Sequence, residues 1–236
     1  YQPKRTDEEI AMLSTTNPEE LDVNELLFSA TLIDLPDENE DLDKYYAAVD
    51  QRISIYKKVV ELHNDWRGYN NLACTDLTSR DEVYLIVLDL EERLSNLDKA
   101  EEIGGATNEI LTNRGIFAAW EGKLTKAQQL FDKANTTENN QAILDIRQGE
   151  YAKAVRFYKG GRSHNAVLAQ MLNGDNSVRC NEENYHGYYL NAIASCRGGN
   201  NDEAIMWLKK AADYNTKSRD TGDGAEDTYW HEDQMA

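Results

Sequence analysis

One spacing recurs three times and constrains the fold more than any other feature: a glycine, an alanine five residues on, and a bulkier side chain four beyond that. In NEILTNRGIFAAWEGKLTKAQQLFDKA (residues 108–134) the frame is Gly122, Ala127 and Phe131, with Gly115 ahead of it and Ala134 behind. GEYAKAVRFY repeats it with Gly149, Ala154 and Tyr158, and GNNDEAIMWLKKA repeats it with Gly199, Ala204, Leu208 and Ala211. Small residues at these offsets let two helices of one unit cross closely, while Phe131 fills the gap toward the next unit. A fixed frame of this kind marks a repeat protein and predicts helix pairs throughout.

The spacing is uneven. Ala127 to Ala154 is 27 residues and Ala154 to Ala204 is 50, so a shortened unit is expected between them, with Gly174 placed 25 residues after Gly149. Upstream, DWRGYNNLA (65–73) supplies a first helix whose partner is expected near Arg80 to Ala100. The apolar run Val83 to Leu88 is read as helix because Asp81-Glu82 and DLEERL flank it. Asn24 to Ile33 and Asp43 to His63 give an earlier pair, started at Thr16-Asn17-Pro18. Boundaries fall near 22–63, 66–100, 108–134, 135–159, 160–181 and 185–214, about five antiparallel helix pairs. An N-terminal extension (1–17) and an acidic, flexible tail (215–236) complete the chain.

Together NELLFSATL, IYKKVVELHNDWRGYNNLA, NRGIFAAWEGKLTKAQQLFDKA, GEYAKAVRFYKGGRSHNAVLAQMLNG and YYLNAIASCRGGNNDEAIMWLKKA resemble tetratricopeptide (TPR) units. They are similar to the TPR segment of outer-membrane, OmpA-related proteins of Gram-negative anaerobes. The resemblance covers residues 22 to 213 and implies an all-α, TPR-like α-solenoid, a right-handed superhelix that binds protein or peptide without catalytic residues. It further implies a periplasmic or outer-membrane-associated cell-envelope home, with a cytoplasmic one left open, and a possible place in an envelope-protein complex. The chain departs from the TPR pattern in its short middle units and in lacking the proline that closes each unit.

Charge narrows the partners. The chain carries 25 basic and 43 acidic residues, and the first 118 residues hold 11 and 26 of them, so the acidity is concentrated there. Nucleic acid is excluded as a partner, because a field of this sign repels a polyanion. No run approaches the ~18 apolar residues of a membrane helix. The opening YQPK has neither an initiator Met nor the look of a secretory leader, which is read as a mature chain whose signal has been removed.

Placed in one frame, Asn71, Asn113, Asn140 and Asn165 share the sixth position of the first helix, which faces the concave groove in a TPR stack. An amide both donates and accepts, so a column of them can pair with an extended peptide backbone without reading its side chains. It resembles the asparagine ladder of a TPR-bearing glycosyltransferase, though Asn191 falls one residue late; the alternative is bonding to a neighbouring helix. The groove also offers Arg67, Asn70 and Glu109 where chaperone-binding TPRs need a lysine and arginine clamp, which disfavours capture of a C-terminal carboxylate. Lys153, Arg156, Lys159 and Arg162 recur every three residues along a second helix and just past its end, either as a solvated face or as a weak anion site.

Other motifs fail. YKGGRS (158–163) lacks the lysine, the upstream glycine and the preceding strand of a phosphate loop. Asp37, Asn39 and Asp41 begin like a calcium loop, but Leu42 and Ala48 stand where glycine and glutamate belong. His63 and His186 lack ligand-type partners at helix spacing, and Cys74, Cys180 and Cys196 show no metal spacing. Cys180, read on a second helix, and Cys196, on the following first helix, either pair as a disulfide or stay free. No cofactor, metal or enzymatic activity is expected. Two functions compete: a non-enzymatic scaffold with a protein or extended peptide in its groove, or the helical support of a carbohydrate-uptake complex, for which Tyr185, Tyr188, Tyr189 and Trp207 are the aromatic candidates.

Overall fold

Six short polar side chains decide where half of the helices begin. Thr6, Asp22, Asp65, Thr107, Thr137 and Asn184 are extended at the backbone, and each accepts an N–H from the turn after it. Such caps contribute about 1 kcal/mol each. The structure, a computed structural model, describes residues 3–36, 42–75 and 90–221. Among the described residues there are twelve α-helices and no strand, with successive helices inside each of two compact units packed on one another. The run Val83–Leu88, the stretch Asp37–Asp41 and residues 222–236 of the tail lie outside the described residues.

Two compact units divide the chain, Tyr1–Thr136 and Thr137–Ala236. Unit 1 holds α1 (Asp7–Thr16), a 3₁₀ turn (Pro18–Glu20), α2 (Val23–Thr31), α3 (Leu42–His63), α4 (Trp66–Cys74), α5 (Leu90–Gly104), α6 (Asn108–Trp120) and α7 (Leu124–Ala134). The expected N-terminal extension is instead a core element. Thr6 and Glu9 form a reciprocal capping box, and Ile10 is buried with Leu21, Leu26, Ile55 and Val59. Glu25 fastens this end: its buried carboxylate accepts from the Arg5 guanidinium at 2.5 Å and from the backbone N–H groups of Lys4 and Asp22, each at 3.3 Å. Where α6 crosses α7, a β-carbon on Gly115 would overlap the Phe131 ring, so the predicted close crossing holds.

Unit 2 holds α8 (Glu138–Gln148), α9 (Tyr151–Tyr158), α10 (His164–Leu172), α11 (Tyr185–Arg197) and α12 (Asn201–Thr221). The last helix runs past the boundary expected at residue 214. Four turns in the molecule are built alike. At Gly122, Gly149, Gly174 and Gly199 the backbone is left-handed, with φ of 76°, 83°, 105° and 79°. Each glycine N–H donates three residues back, and the next residue donates five back: Lys123 to Ala118 and Glu150 to Asp145 at 2.8 Å, Asp175 to Gln170 and Asn200 to Ser195 at 2.9 Å. This double bond is the Schellman helix stop.

Three of the four turns lead straight into a helix, and the alanine five residues past the glycine is buried in each: Ala127, Ala154 and Ala204. Past Gly174 that position is Arg179, and the chain enters no helix there. The second helix expected in 160–181 is replaced by an irregular segment, 173–184, whose Val178 and Cys180 pack with Val167, Met171, Leu190 and Ala194. Asp175 starts it by accepting from the Ser177 N–H at 3.0 Å and its hydroxyl at 2.6 Å, a local turn that competes with helix. Cys180 is therefore buried off any helix and Cys196 is exposed, and all three cysteines are free thiols. Of the residues expected at crossings, Leu208 is the exception, 46% exposed, and Tyr158 is half-buried.

Candidate functional site

The first helices of unit 1 are joined by a polar seam. On α4, Arg67 lies one position into the helix that Asp65 caps, and its guanidinium grips that carboxylate at 2.8 and 3.0 Å. The pairing holds the Asp65 carboxyl below its ordinary range and raises Arg67. The remaining arm of Arg67 reaches α2 and donates to the Asn24 amide oxygen at 2.7 Å. One turn further on, Asn113 of α6 donates to the Asn70 amide oxygen at 2.9 Å, and Asn70 donates to its neighbour Asn71 at 3.4 Å. Both inter-helix bonds join residues 43 positions apart, so consecutive first helices in this unit repeat with that step.

Of the predicted groove residues, Arg67 is thus spent on Asp65 and Asn24, and Asn70 is buried within the seam. Asn71 and Asn113 are half-exposed at its two ends. The Asn113 oxygen and the Asn71 amide nitrogen have no hydrogen-bond partner among the described residues. In unit 2, Asn140 and Asn165 are half-exposed on α8 and α10. Asn113, Asn140 and Asn165 each stand nine residues ahead of a Schellman glycine, at 122, 149 and 174, so they share one register in their helices. Burial pushes the Tyr158 phenol above its ordinary range, and its hydroxyl is buried near Asn165 without a hydrogen-bond partner among the described residues.

The basic residues do not share one helix. Lys153 and Arg156 lie on α9, Lys159 turns the chain left-handed at φ 49°, and Arg162 lies beyond it, where its carbonyl accepts from the Asn181 N–H. Lys153 pairs with Glu150 at 3.4 Å, and all four cations are exposed. Cations at a helix C-terminus offset the dipole there, which accounts for part of the cluster.

Two polar devices stood outside the sequence expectations. Asn191, 1% exposed, accepts from the Cys180 N–H at 2.6 Å and donates to the Cys180 carbonyl at 3.0 Å, so one amide holds both faces of a backbone residue. Arg179 makes a fork with Glu203 at 2.9 and 2.8 Å, and with the Trp207 indole N–H it brings that carboxyl down to about 2. An arginine at the alanine position of the repeat frame was the signal for the second. Asn191 gave none beyond being one residue out of step.

The aromatic candidates form two groups. Tyr185 stacks on Tyr189 with ring centres 5.9 Å apart. Tyr188 stacks on Trp207, and the Lys210 ammonium sits 4.6 Å from the centre of the Trp207 indole ring, so these rings are occupied by each other and by a cation. Burial pushes the Cys74 thiol up to about 12, which leaves it unreactive. Among the described residues no three His, Cys, Asp or Glu side chains converge to hold a metal, and no helix is long and apolar enough to cross a membrane. No protein-family description and no curated protein matches this sequence.

Proposed function

We propose that the chain is a non-enzymatic scaffold of the tetratricopeptide type, a right-handed α-solenoid of the cell envelope. The first helices of unit 1 hold a protein segment in extended form on Asn71 and Asn113. The observation that carries this reading is the amide chain Asn113–Asn70–Asn71. It is fixed within the fold, yet it ends in a half-exposed acceptor and a half-exposed donor. An amide already oriented by its neighbours loses little entropy when it bonds to a peptide backbone. Asn191 supplies a working example inside the molecule, since its side chain holds a backbone residue by both N–H and C=O. The mutual occupation of Tyr188, Trp207 and Lys210 favours this reading over a sugar platform.

The test is selection from a library of random linear peptides, followed by backbone N-methylation of the best binder. Expected is loss of binding on N-methylation at alternate residues, with weak effects from alanine substitution in the peptide. Asn71→Ala should weaken that peptide by about 2- to 10-fold, one hydrogen bond's worth. Failure to enrich any peptide, or indifference to N-methylation, would remove the reading.

A further inference from the structure

We infer, resting on the amide groove proposed above, that its occupant is a basic segment, with a lysine or arginine of the extended chain held by Glu109 beside Asn113. Charges on the three first helices of unit 1 are few. On α2 there is Glu25, buried and paired with Arg5. On α4 there is Arg67, closed onto Asp65 and Asn24. On α6 there are two. Arg114 pairs with Asp98 at 2.5 Å and with Glu101 at 2.7 Å, so it is spent on α5. Glu109 is exposed and has no ion-pair partner among the described residues. The exposed lysines of unit 1 that lack an acid partner among the described residues, Lys57, Lys126 and Lys133, lie on the second helices α3 and α7. The one charge left open on the first helices is therefore negative.

Position gives that charge a role. Glu109 and Asn113 stand four residues apart on α6 and share its face. Asn113 offers the open acceptor of the amide chain, so a bound backbone N–H meets it there. One helical turn is about 5.4 Å and an extended chain advances ~3.3 Å per residue. A lysine or arginine one or two residues from the paired N–H therefore reaches the Glu109 carboxylate. The amides accept any backbone, so choice among segments falls to the charge beside them. The first 118 residues, with 11 basic and 26 acidic groups, set up a field that draws a cationic segment and speeds its encounter. A place in the first turn of α6 also lets Glu109 offset the helix dipole. That contribution acts on stability and is separated from binding by the choice of variants.

The random-peptide selection on the full chain supplies the probes: the best binder, and copies of it with each lysine or arginine replaced in turn by glutamate. Expected are binders richer in Lys and Arg than in Asp and Glu, whose affinity falls with added salt. Glu109→Gln should weaken the best binder by about 2- to 5-fold, an exposed ion pair's worth, and Glu109→Lys by more. Glu109→Lys should also regain binding of one glutamate-substituted copy, a swap that a residue serving only the helix would not give. Glu8→Lys, at an exposed site on α1, changes the net charge equally and should weaken the best binder less. Circular dichroism checks that each variant is folded. Binders without a basic excess, or equal losses in Glu8→Lys and Glu109→Lys, would overturn the inference. The amide reading would survive either result if N-methylation still abolishes binding, whereas failure to enrich any peptide removes both.

Discussion

Gly149 and Gly174 close their helices with the same pair of backbone hydrogen bonds, yet only Gly149 leads into another helix. The difference lies five residues downstream, where Ala154 is buried at a crossing and Arg179 is not an alanine. A helix stop is a local event, settled by a left-handed glycine and two bonds. The helix after it is a tertiary event, because a short helix is marginal until it packs. An arginine at the crossing removes that packing, and the chain instead lies as an irregular segment held by Asn191 and by the Arg179–Glu203 fork.

Transplanting the difference should produce the largest effect. Ala127→Arg forces a long cation into a fully buried crossing and should cost about 3–5 kcal/mol, the range for a buried charge without its partner. Denaturant unfolding would read the loss, and a far-ultraviolet signal that drops before the main transition would show α7 detaching first. Unaltered stability would mean that the alanine does not govern the second helix. Next is Asn191→Ala, which leaves a buried N–H and a carbonyl of Cys180 unpaired, at about 2–4 kcal/mol for the two groups. Hydrogen exchange at the Cys180 amide should accelerate in step with that loss.

How much of this was legible in the sequence depends on which interactions are local. The Gly-to-Ala spacing gave three helix pairs correctly, because turn and crossing residue lie within six positions of each other. The same spacing misplaced Leu208, since it encodes what a helix packs against on one side and says nothing of the other. Helix α1 was passed over although Thr6 and Glu9 spell a capping box, because its only buried apolar residue is Ile10 and a single one shows no period. Asn113, Asn140 and Asn165 each stand nine residues ahead of a helix-closing glycine, a spacing the sequence carries by itself. What the sequence did not reveal was that Asn113 already donates to Asn70, a contact across 43 residues that depends on the phase of two helices.

Arg179→Ala sharpens the comparison from the other side. It should not restore a helix after Gly174, because Asp175 and Ser177 still favour their turn. It should cost about 1–2 kcal/mol, between exposed and buried ion pairs, since both partners remain partly open to water. The sign with pH is fixed by Glu203, whose carboxyl lies near 2 in the fold against an ordinary value of 4.5. A depressed value stabilises the fold above the ordinary one, and the contribution fades as pH falls from 4.5 toward 2. The gap between wild type and Arg179→Ala in thermal midpoint should therefore be widest near neutral pH and close on acidification. A gap that stays constant with pH would assign the loss to packing of the arginine stem instead.

The smallest effect separates the two turns themselves. A β-carbon at Gly149 or at Gly174 would meet nothing within 4 Å, so alanine at either site pays only for left-handed backbone, about 1–2 kcal/mol. Asparagine tolerates that region when φ is near its well at about 57°, as Asn135 does at φ 47° at the end of α7. Gly149, at 83°, lies close enough for Gly149→Asn to recover most of the alanine loss. Gly174, at 105°, lies farther from the well, so Gly174→Asn should recover less. Equal recovery at both positions, measured by denaturant unfolding, would mean that residues 175–184 relax to let their turn tighten. The wider angle at Gly174 would then be imposed by that irregular segment and not by the helix stop.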